Sequence, residues 1–205
     1  KVIEESPSPF VKPETRAKML KVAVEACKRI NYYSAGTLEF MMDKDQNFYF
    51  LEMNPRLQVE HPVTEECTGV DLVRDMILVA AGNRLPYRQE DVEFRGAAIE
   101  CRIYAEDPEN NFMPSPGVII VREAPEGRNV RLDSAAYAGF EVSLHYDPMI
   151  AKLCCWGRNR DSAISNMARA LREYKILGIK TTIPFHQRVL KNAAFLKGEY
   201  DTTFI

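Results

Sequence analysis

The chain has 205 residues, of which 46% are hydrophobic and 27% are charged, and its formal net charge is -2 at pH 7. This composition is typical of a globular protein with one large domain or two small ones, and the charge balance does not indicate a nucleic-acid or membrane partner. No hydrophobic run approaches the roughly 20 residues that a membrane-spanning helix needs.

The five cysteines show no C-x-x-C spacing, and their odd number argues against a disulfide framework. The cysteine pattern therefore favours a reducing compartment. The chain begins on Lys1 rather than on a methionine, so we expect it to be a piece of a longer protein.

Proline positions and hydrophobic periodicity divide the first part of the chain. They predict a helix over 13–31, strands over 35–42 and 47–53, a loop over 54–69 and a helix over 70–81. The polar link 43–46 is short and turn-like, so the two strands should form a hairpin. Their density of apolar residues suggests a sheet that is well covered.

The residues after position 83 are rich in strand-like segments. The pattern predicts strands over 97–104, 118–122, 130–132, 149–156 and 174–180, and helices over 162–173 and 184–192. Asp161 can cap the first of these helices. Because strands and helices do not strictly alternate, this half is predicted to be α+β.

Two carboxylates and an amide can meet on the predicted hairpin. Glu39 lies in the first strand and Glu52 in the second, and Asn54 follows Glu52 by two residues, so all three side chains can share one face. Hard oxygen ligands of this kind suit Mg²⁺, which bridges nucleotide phosphates. A solvated strand face would explain the same spacing.

The segment after the hairpin alternates charged and polar residues. Arg56, Gln58 and Glu60 would face one way if the segment is extended, and they could bind an anion and supply a general base. A simple Arg56–Glu60 ion pair is the alternative, and His61 is interpreted as a structural hydrogen-bonding residue.

Charged residues also interrupt the apolar strands of the second half. Arg102 lies in such a strand and needs a partner or a cleft, with Glu100 on the same strand face as a structural partner. Asp147 and Lys152 could form a further pair or line a cleft. Glycine-rich phosphate loops and the G-x-S-x-G elbow are absent from the sequence, which weakens P-loop, Rossmann and hydrolase interpretations.

Several segments resemble those of a known enzyme family. Glu52-Met-Asn-Pro-Arg56 resembles the E-x-N-x-R signature of ATP-grasp enzymes, and its continuation Leu57-Gln-Val-Glu-His-Pro-Val-Thr-Glu65 is similar to biotin carboxylase. Further similar segments, in that family's order, are Lys1-Val-Ile-Glu-Glu-Ser-Pro-Ser-Pro9, Glu100-Cys-Arg-Ile-Tyr-Ala-Glu-Asp-Pro108, Pro114-Ser-Pro-Gly117, Tyr146-Asp-Pro-Met-Ile-Ala-Lys152 and Gly178-Ile-Lys-Thr181.

This resemblance to biotin carboxylase implies a fold and an activity. The fold would be the C-terminal half of an ATP-grasp domain, residues 1–83, followed by the biotin carboxylase C-terminal domain, residues 84–205. The activity would be ATP-dependent carboxylation of carrier-protein biotin by bicarbonate through carboxyphosphate, with Mg²⁺ or Mn²⁺. The implied partners are a biotin carboxyl carrier protein, a carboxyltransferase and a second copy in a homodimer. The implied location is the cytoplasm, or the mitochondrial matrix if the source is eukaryotic.

The resemblance also implies a role for each candidate residue. It assigns Glu39, Glu52 and Asn54 to the metal ion, Lys1, Met41, Gln58 and Val59 to the binding of ATP or bicarbonate, and Arg56, Glu60 and Arg102 to catalysis. Glu60 would deprotonate bicarbonate, and Arg102 would hold bicarbonate and stabilise the biotin enolate. Lys1 would lie near the phosphates and bicarbonate, Met41 would cover the adenine, and Val59 would act through its backbone.

Two other functions remain open from the sequence. The chain could be a non-catalytic dimerisation or scaffold piece of a carboxylase, or part of another ATP-grasp ligase such as a carbamoyl-phosphate synthetase. Because the family's N-terminal domain and glycine-rich lid are not in this sequence, we expect residues 1–205 alone to be inactive.

Overall fold

The computed structural model describes residues 2–205, so Lys1 lies outside the described residues. The chain divides into two compact units. We call Pro7–Phe94 the hairpin unit, and the residues up to Ser6 together with Arg95–Ile205 the sheet unit. The expected domain boundary between residues 83 and 84 stays a prediction.

The helices and strands alternate irregularly along the chain. The strands are β1 (Ile3–Ser6), β2 (Thr37–Met42), β3 (Phe48–Asn54), β4 (Ala97–Tyr104), β5 (Glu106–Asp107), β6 (Met113–Pro114), β7 (Gly117–Val118), β8 (Val121–Glu123), β9 (Val130–Asp133), β10 (Glu141–Val142), β11 (Met149–Gly157) and β12 (Lys175–Leu177). The helices are α1 (Pro13–Arg29), α2 (His61–Thr68), α3 (Leu72–Ala80), α4 (Arg160–Glu173), α5 (Ile183–Val189) and α6 (Ala193–Lys197), with a 3₁₀ turn at Gln89–Asp91. Every strand pair among residues 2–205 is antiparallel, as expected for an α+β protein.

The hairpin unit begins with α1 and the β2–β3 hairpin, both of which the sequence predicts. Pro13 occupies the first turn of α1, where its missing N–H is not needed, and Glu14 lies at the positive end of the helix. In the hairpin turn, a carboxylate oxygen of Asp43 accepts hydrogen bonds from the backbone N–H groups of Asp45 and Asn47, both at 2.9 Å. This short side chain therefore closes the turn that sets the register of β2 and β3.

The prediction of a loop over 54–69 is wrong for its second half, which forms α2. Pro62 lies in the first turn of this helix, a position that tolerates proline, and Gly69 ends it with a left-handed φ of 72°. The predicted helix over 70–81 is confirmed as α3. Asp71 caps it by accepting a hydrogen bond from the Arg74 backbone N–H at 2.9 Å.

Several apolar side chains of the hairpin are exposed within residues 2–205. Tyr49, Phe50 and Leu51 on β3 are each about 60% exposed (58%, 61% and 58%). Among these residues the hairpin forms a two-stranded sheet, and a two-stranded ribbon by itself cannot bury both of its faces. The expected cover over this sheet therefore stays a prediction.

The sheet unit is built on a four-stranded sheet in the order β1-β4-β11-β9. One face is apolar and packs in the core beneath α4; its buried residues include Ile99, Cys101, Ile103 and Leu153. Because side chains alternate along a strand, the neighbouring positions face the other way. That second face carries charged residues, listed here across the strands: Glu4, Glu100, Arg102, Lys152, Asp133 and Arg131.

Several predictions for the sheet unit need correction. Asn159, rather than Asp161, caps α4, because its side chain accepts from the Ser162 N–H while the Ser162 hydroxyl accepts from the Asn159 N–H. The predicted strand over 118–122 is two strands, since β7 pairs with β10 and β8 pairs with β12.

The ends of the sheet unit also differ from the prediction. The strand predicted over 174–180 extends only over β12, and the helix predicted over 184–192 is α5, which ends at Val189. The sequence reasoning did not predict β1 or α6. Within residues 2–205, no helix combines the length and hydrophobicity that a membrane crossing requires.

Candidate functional site

Two glutamates and an asparagine meet at the end of the hairpin. Glu39 on β2 lies directly opposite Glu52 on β3. The Asn54 side-chain nitrogen lies 3.1 Å from the Oε1 atoms of both Glu39 and Glu52. The structure thus brings together the three side chains that the strand alternation predicts on one face.

The hydrogen bonds continue from this cluster into the segment that follows β3. The Gln58 side-chain N–H donates to Glu39 Oε1 at 3.2 Å, and Gln58 itself is buried. Arg56 donates to Gln58 Oε1 at 3.2 Å and to the Leu57 carbonyl at 3.2 Å. Five candidate residues, Glu39, Glu52, Asn54, Arg56 and Gln58, therefore form one connected hydrogen-bonded set.

The two remaining candidates of this segment lie where α2 begins. Val59 and Glu60 are half-buried, and Glu60 is the residue at the N-terminal cap of the helix. Nδ1 of His61 lies 2.8 Å from the Gln58 carbonyl oxygen, consistent with the structural role expected for this histidine. The loop that follows the hairpin is thus held by α2 at one end and by β3 at the other.

The oxygen cluster fits a hard divalent cation. Within residues 2–205 there is no set of three or more His, Cys, Asp or Glu side chains arranged for a metal; this cluster instead combines two carboxylates with one amide. Rotation of the Asn54 amide by half a turn would present its oxygen in place of its nitrogen. Two carboxylates and an amide oxygen are the hard donors that suit Mg²⁺ or Mn²⁺.

Met41 lies on the same hairpin, two residues from Glu39 on β2, and is 51% exposed. Strand alternation places Met41 on the same face of β2 as Glu39. An exposed methionine offers an adaptable apolar surface, as contact with an adenine ring requires.

Arg102 belongs to the sheet unit and lies on the charged face of β4. Its Nη2 atom is 2.8 Å from Glu4 Oε1 on β1, and the two side chains are only 8% and 13% exposed. Burial alone would lower the pKa of Arg102, but the Glu4 carboxylate and a hydrogen bond with Tyr104 outweigh it, so the pKa is raised. Sequence reasoning considered Glu100 as the partner and missed Glu4, because it did not predict that β1 pairs with β4.

The backbone of Arg102 is also held from α5. His186 Nε2 lies 2.7 Å from the Arg102 carbonyl oxygen, and the Thr182 hydroxyl donates to the same oxygen at 3.2 Å. Both side chains are fully buried. Nothing in the local sequence around His186 or Thr182 signals this contact, which only the tertiary fold creates.

The other pair considered from the sequence, Asp147 with Lys152, differs in the structure. The Lys152 ammonium lies 3.6 Å from Asp133 Oδ2, whereas Asp147 accepts a hydrogen bond from the Met149 backbone N–H at 2.8 Å. Asp133 lies directly opposite Lys152 in the sheet register. A cross-strand neighbour therefore replaces the partner expected from proximity in sequence.

Comparison with known proteins assigns both parts of the chain. Residues 100–205 match the biotin carboxylase C-terminal domain, and residues 1–88 match the ATP-binding domain of the carbamoyl-phosphate synthase L chain. The chain belongs to the biotin carboxylase family. This membership confirms the predicted family and fold class.

Full-length relatives show how much of the family's architecture the chain contains. Biotin carboxylase 1 of Bacillus subtilis is 53% identical over 206 residues, and the mitochondrial propionyl-CoA carboxylase alpha chain of Mus musculus is 49% identical over 207 residues. The alignments cover 100% of this chain but 46% and 29% of those proteins. The chain thus spans less than half the length of these biotin carboxylase relatives.

A solved structure of the family is closely similar. The biotin carboxylase domain dimer of Hydrogenobacter thermophilus 2-oxoglutarate carboxylase, in complex with MgADP, ADP and bicarbonate, has a TM-score of 0.97 and 46% identity. The match covers 100% of this chain and 45% of that one. That biotin carboxylase domain binds the nucleotide, the metal and the anion named in its description.

Proposed function

We propose that this chain supplies part of the active site of a biotin carboxylase, which uses ATP and bicarbonate to carboxylate biotin on a carrier protein. Membership of the family supports the activity, and the relatives named for propionyl-CoA and 2-oxoglutarate carboxylases support a larger biotin-dependent assembly. The final acceptor of the carboxyl group would be determined by a separate carboxyltransferase.

The observation that carries this proposal is the hydrogen-bonded set that runs from Glu39 through Gln58 to Arg56. It joins hard oxygen ligands for a cation to a planar guanidinium for an anion within one short segment. A nucleotide phosphate and a bicarbonate must be held side by side for one to react with the other, and this arrangement provides adjacent sites of the required chemistry.

Each residue then has a defined role. Glu39, Glu52 and Asn54 would hold Mg²⁺ or Mn²⁺, which would supply positive charge to neutralise the nucleotide phosphates. Arg56, Gln58 and the backbone of Val59 bind bicarbonate, and Glu60 removes its proton. The resulting oxyanion attacks the γ-phosphorus of ATP, the bond from that phosphorus to the β–γ bridging oxygen breaks, and carboxyphosphate forms as ADP leaves. Arg102 supplies a fixed positive charge for bicarbonate and for the biotin enolate. By the family resemblance, Lys1 would lie near the phosphates and bicarbonate, and Met41 would cover the adenine.

The proposed partners are a biotin carboxyl carrier protein, a carboxyltransferase and a second copy of the same chain. The description of a dimer for the Hydrogenobacter domain supports the last of these. We place the protein in the cytoplasm, or in the mitochondrial matrix if the source is eukaryotic. The odd number of cysteines and the lack of C-x-x-C spacing suit a reducing compartment.

The decisive variant is Glu60→Gln in a full-length biotin carboxylase that carries this chain. We expect bicarbonate-dependent ATP hydrolysis to fall about a hundredfold or more, because a general base contributes on that order. Glu25→Gln is the control, since Glu25 is an exposed carboxylate on α1 paired with Lys21. Activity of Glu60→Gln near that of Glu25→Gln would favour the scaffold alternative.

A second assay separates biotin carboxylase from other ATP-grasp ligases. Free biotin should stimulate bicarbonate-dependent ATP hydrolysis by the full-length protein. Hydrolysis that requires bicarbonate but does not respond to biotin would favour a ligase of the carbamoyl-phosphate synthetase type. Residues 1–205 alone should show no bicarbonate-dependent ATP hydrolysis above a buffer control.

A further inference from the structure

The side chain of Arg102 pairs with an acid of the neighbouring strand in the sheet unit. Glu4 lies on β1 opposite Glu100, so its carboxylate reaches Arg102 diagonally across the β1–β4 pair. Diagonal neighbours of this kind lie within reach of long side chains. The backbone N–H of Arg102 also donates at 3.0 Å to the carbonyl of Val2, the residue immediately before β1.

The surroundings of Arg102 explain why such an acid is needed. Lys152 lies directly opposite Arg102 on β11, so two cations are neighbours on the charged face. Asp133 lies beyond Lys152 and pairs with it at 3.6 Å, while Glu4 pairs with Arg102 at 2.8 Å on the other side. Each cation thus has an acid on its outer side, which offsets the repulsion between them and draws each side chain to a defined place.

We propose that Glu4 is a positioning residue for Arg102, fixing the guanidinium in the orientation in which it receives bicarbonate. This inference rests on the proposed function of Arg102. A charge-assisted hydrogen bond in a mostly buried setting has both the strength and the direction to select one rotamer of a long side chain. Without it, the guanidinium loses the fixed geometry on which anion binding depends.

The neighbouring residue on β1 provides a matched control. Glu5 faces the opposite side of the strand, and its carboxylate pairs with Arg160 on α4 at 2.7 Å, with side chains that are 7% and 17% exposed. Neutralising Glu5 therefore removes an ion pair of similar burial from the same strand, but one that does not involve Arg102. If neutralising a glutamate merely weakens β1, the resulting loss of activity should appear in both the Glu4→Gln and the Glu5→Gln variants.

The test compares Glu4→Gln, Glu5→Gln, Arg102→Gln and the Glu4→Gln/Arg102→Gln double variant in the full-length enzyme. We expect Glu4→Gln to raise the KM for bicarbonate about tenfold with the KM for ATP unchanged, whereas Glu5→Gln leaves both KM values unchanged. The double variant should be no worse than Arg102→Gln, because Glu4 acts through Arg102. If Glu4→Gln does not fold, Glu4→Asp, which keeps the charge but shortens the reach, should raise the same KM to a smaller extent.

Three outcomes contradict the inference, and they are distinguishable. An unchanged KM for bicarbonate in Arg102→Gln would refute the proposed role of Arg102 and, with it, that of Glu4. A raised KM in Arg102→Gln but equal KM values in Glu4→Gln and Glu5→Gln would refute only the positioning role. A loss in the double variant equal to the product of the two single losses would show that Glu4 acts independently of Arg102.

Discussion

His186 Nε2 lies 2.7 Å from the carbonyl oxygen of Arg102, and the imidazole is completely buried. This contact requires a proton on Nε2, because a carbonyl oxygen can only accept, and burial favours the neutral ring that carries its single proton there. Burial lowers the pKa of His186 from 6.5 to about 4, because it disfavours the charged ring. The hydrogen bond to the Arg102 carbonyl has the smaller, opposite effect.

Stability should therefore depend on pH through His186. The unfolded chain binds a proton there as the pH falls through about 6.5, whereas the folded chain does so only near pH 4. The contribution of the neutral ring to stability is fully present above pH 6.5. As the pH falls toward 4, the free energy of unfolding decreases by about 1.4 kcal/mol per pH unit, or roughly 3 kcal/mol in all.

Urea denaturation between pH 7 and pH 4.5 measures this effect. The fluorescence of Trp156, the single tryptophan of the chain, reports on the sheet unit. His186→Gln can keep a donor near the Arg102 carbonyl without a titrating ring, so its stability should fall less steeply over this pH range. Equal slopes for the two proteins would show that His186 is not the group responsible.

Arg160 should contribute far more to stability than an exposed arginine with an equally short ion pair. Its guanidinium pairs with Glu5 at 2.7 Å and donates to the Phe195 and Leu196 carbonyls at 2.8 and 2.7 Å. We expect Arg160→Met to lower the free energy of unfolding by about 3 kcal/mol, because it leaves the Glu5 carboxylate buried without this partner.

Arg169→Met is the control for Arg160→Met. Arg169 pairs with Glu173 at the same 2.7 Å, but the side chains are 36% and 45% exposed. Its replacement should cost below about 1 kcal/mol, since water screens exposed pairs. Similar losses in the two variants, measured by urea denaturation, would argue against a role for burial.

Gly96 should tolerate no side chain, for a reason beyond its backbone conformation. Its φ is 68°, and a Cβ there would lie 2.2 Å from the Gly157 carbonyl oxygen. Gly69 has a similar φ of 72° but nothing within 4 Å of the same position. Gly69→Ala should therefore cost about 1 kcal/mol, as for a left-handed helix cap, whereas Gly96→Ala should cost several kcal/mol or prevent folding. Thermal denaturation of both variants separates the effect of the close contact from that of the backbone conformation. Equal Tm values for Gly69→Ala and Gly96→Ala would show that the contact with the Gly157 carbonyl has no effect.

Neutralising one carboxylate of the oxygen cluster should weaken metal binding before it affects folding. In the full-length enzyme, Glu52→Gln should raise the Mg²⁺ concentration that gives half-maximal ATP hydrolysis about tenfold or more, because a charged ligand is lost. Glu52 is exposed in the structure, so the thermal stability without metal should stay close to that of the unmodified protein. Asp45→Asn, in the turn of the same hairpin, should change neither quantity; a parallel change in both variants would contradict the assigned metal site.

Much of the hairpin could be predicted from the sequence, because its determinants are local. Alternation along two strands and a short polar turn sufficed to place Glu39, Glu52 and Asn54 on one face, and the structure joins them by hydrogen bonds. The same reasoning failed for the loop after β3, since a proline that ends one element can also begin a helix.

The sequence by itself determined the periodic elements, the order of the family's segments and the candidate residues that lie close to one another along the chain. Only the tertiary structure decided the surroundings of Arg102. Glu4, Thr182 and His186 are separated from it by roughly 80 to 100 positions and meet it only because β1 and α5 pack beside β4. Contacts between distant segments depend on how elements pair and pack, and residue patterns within each element carry little information about that pairing.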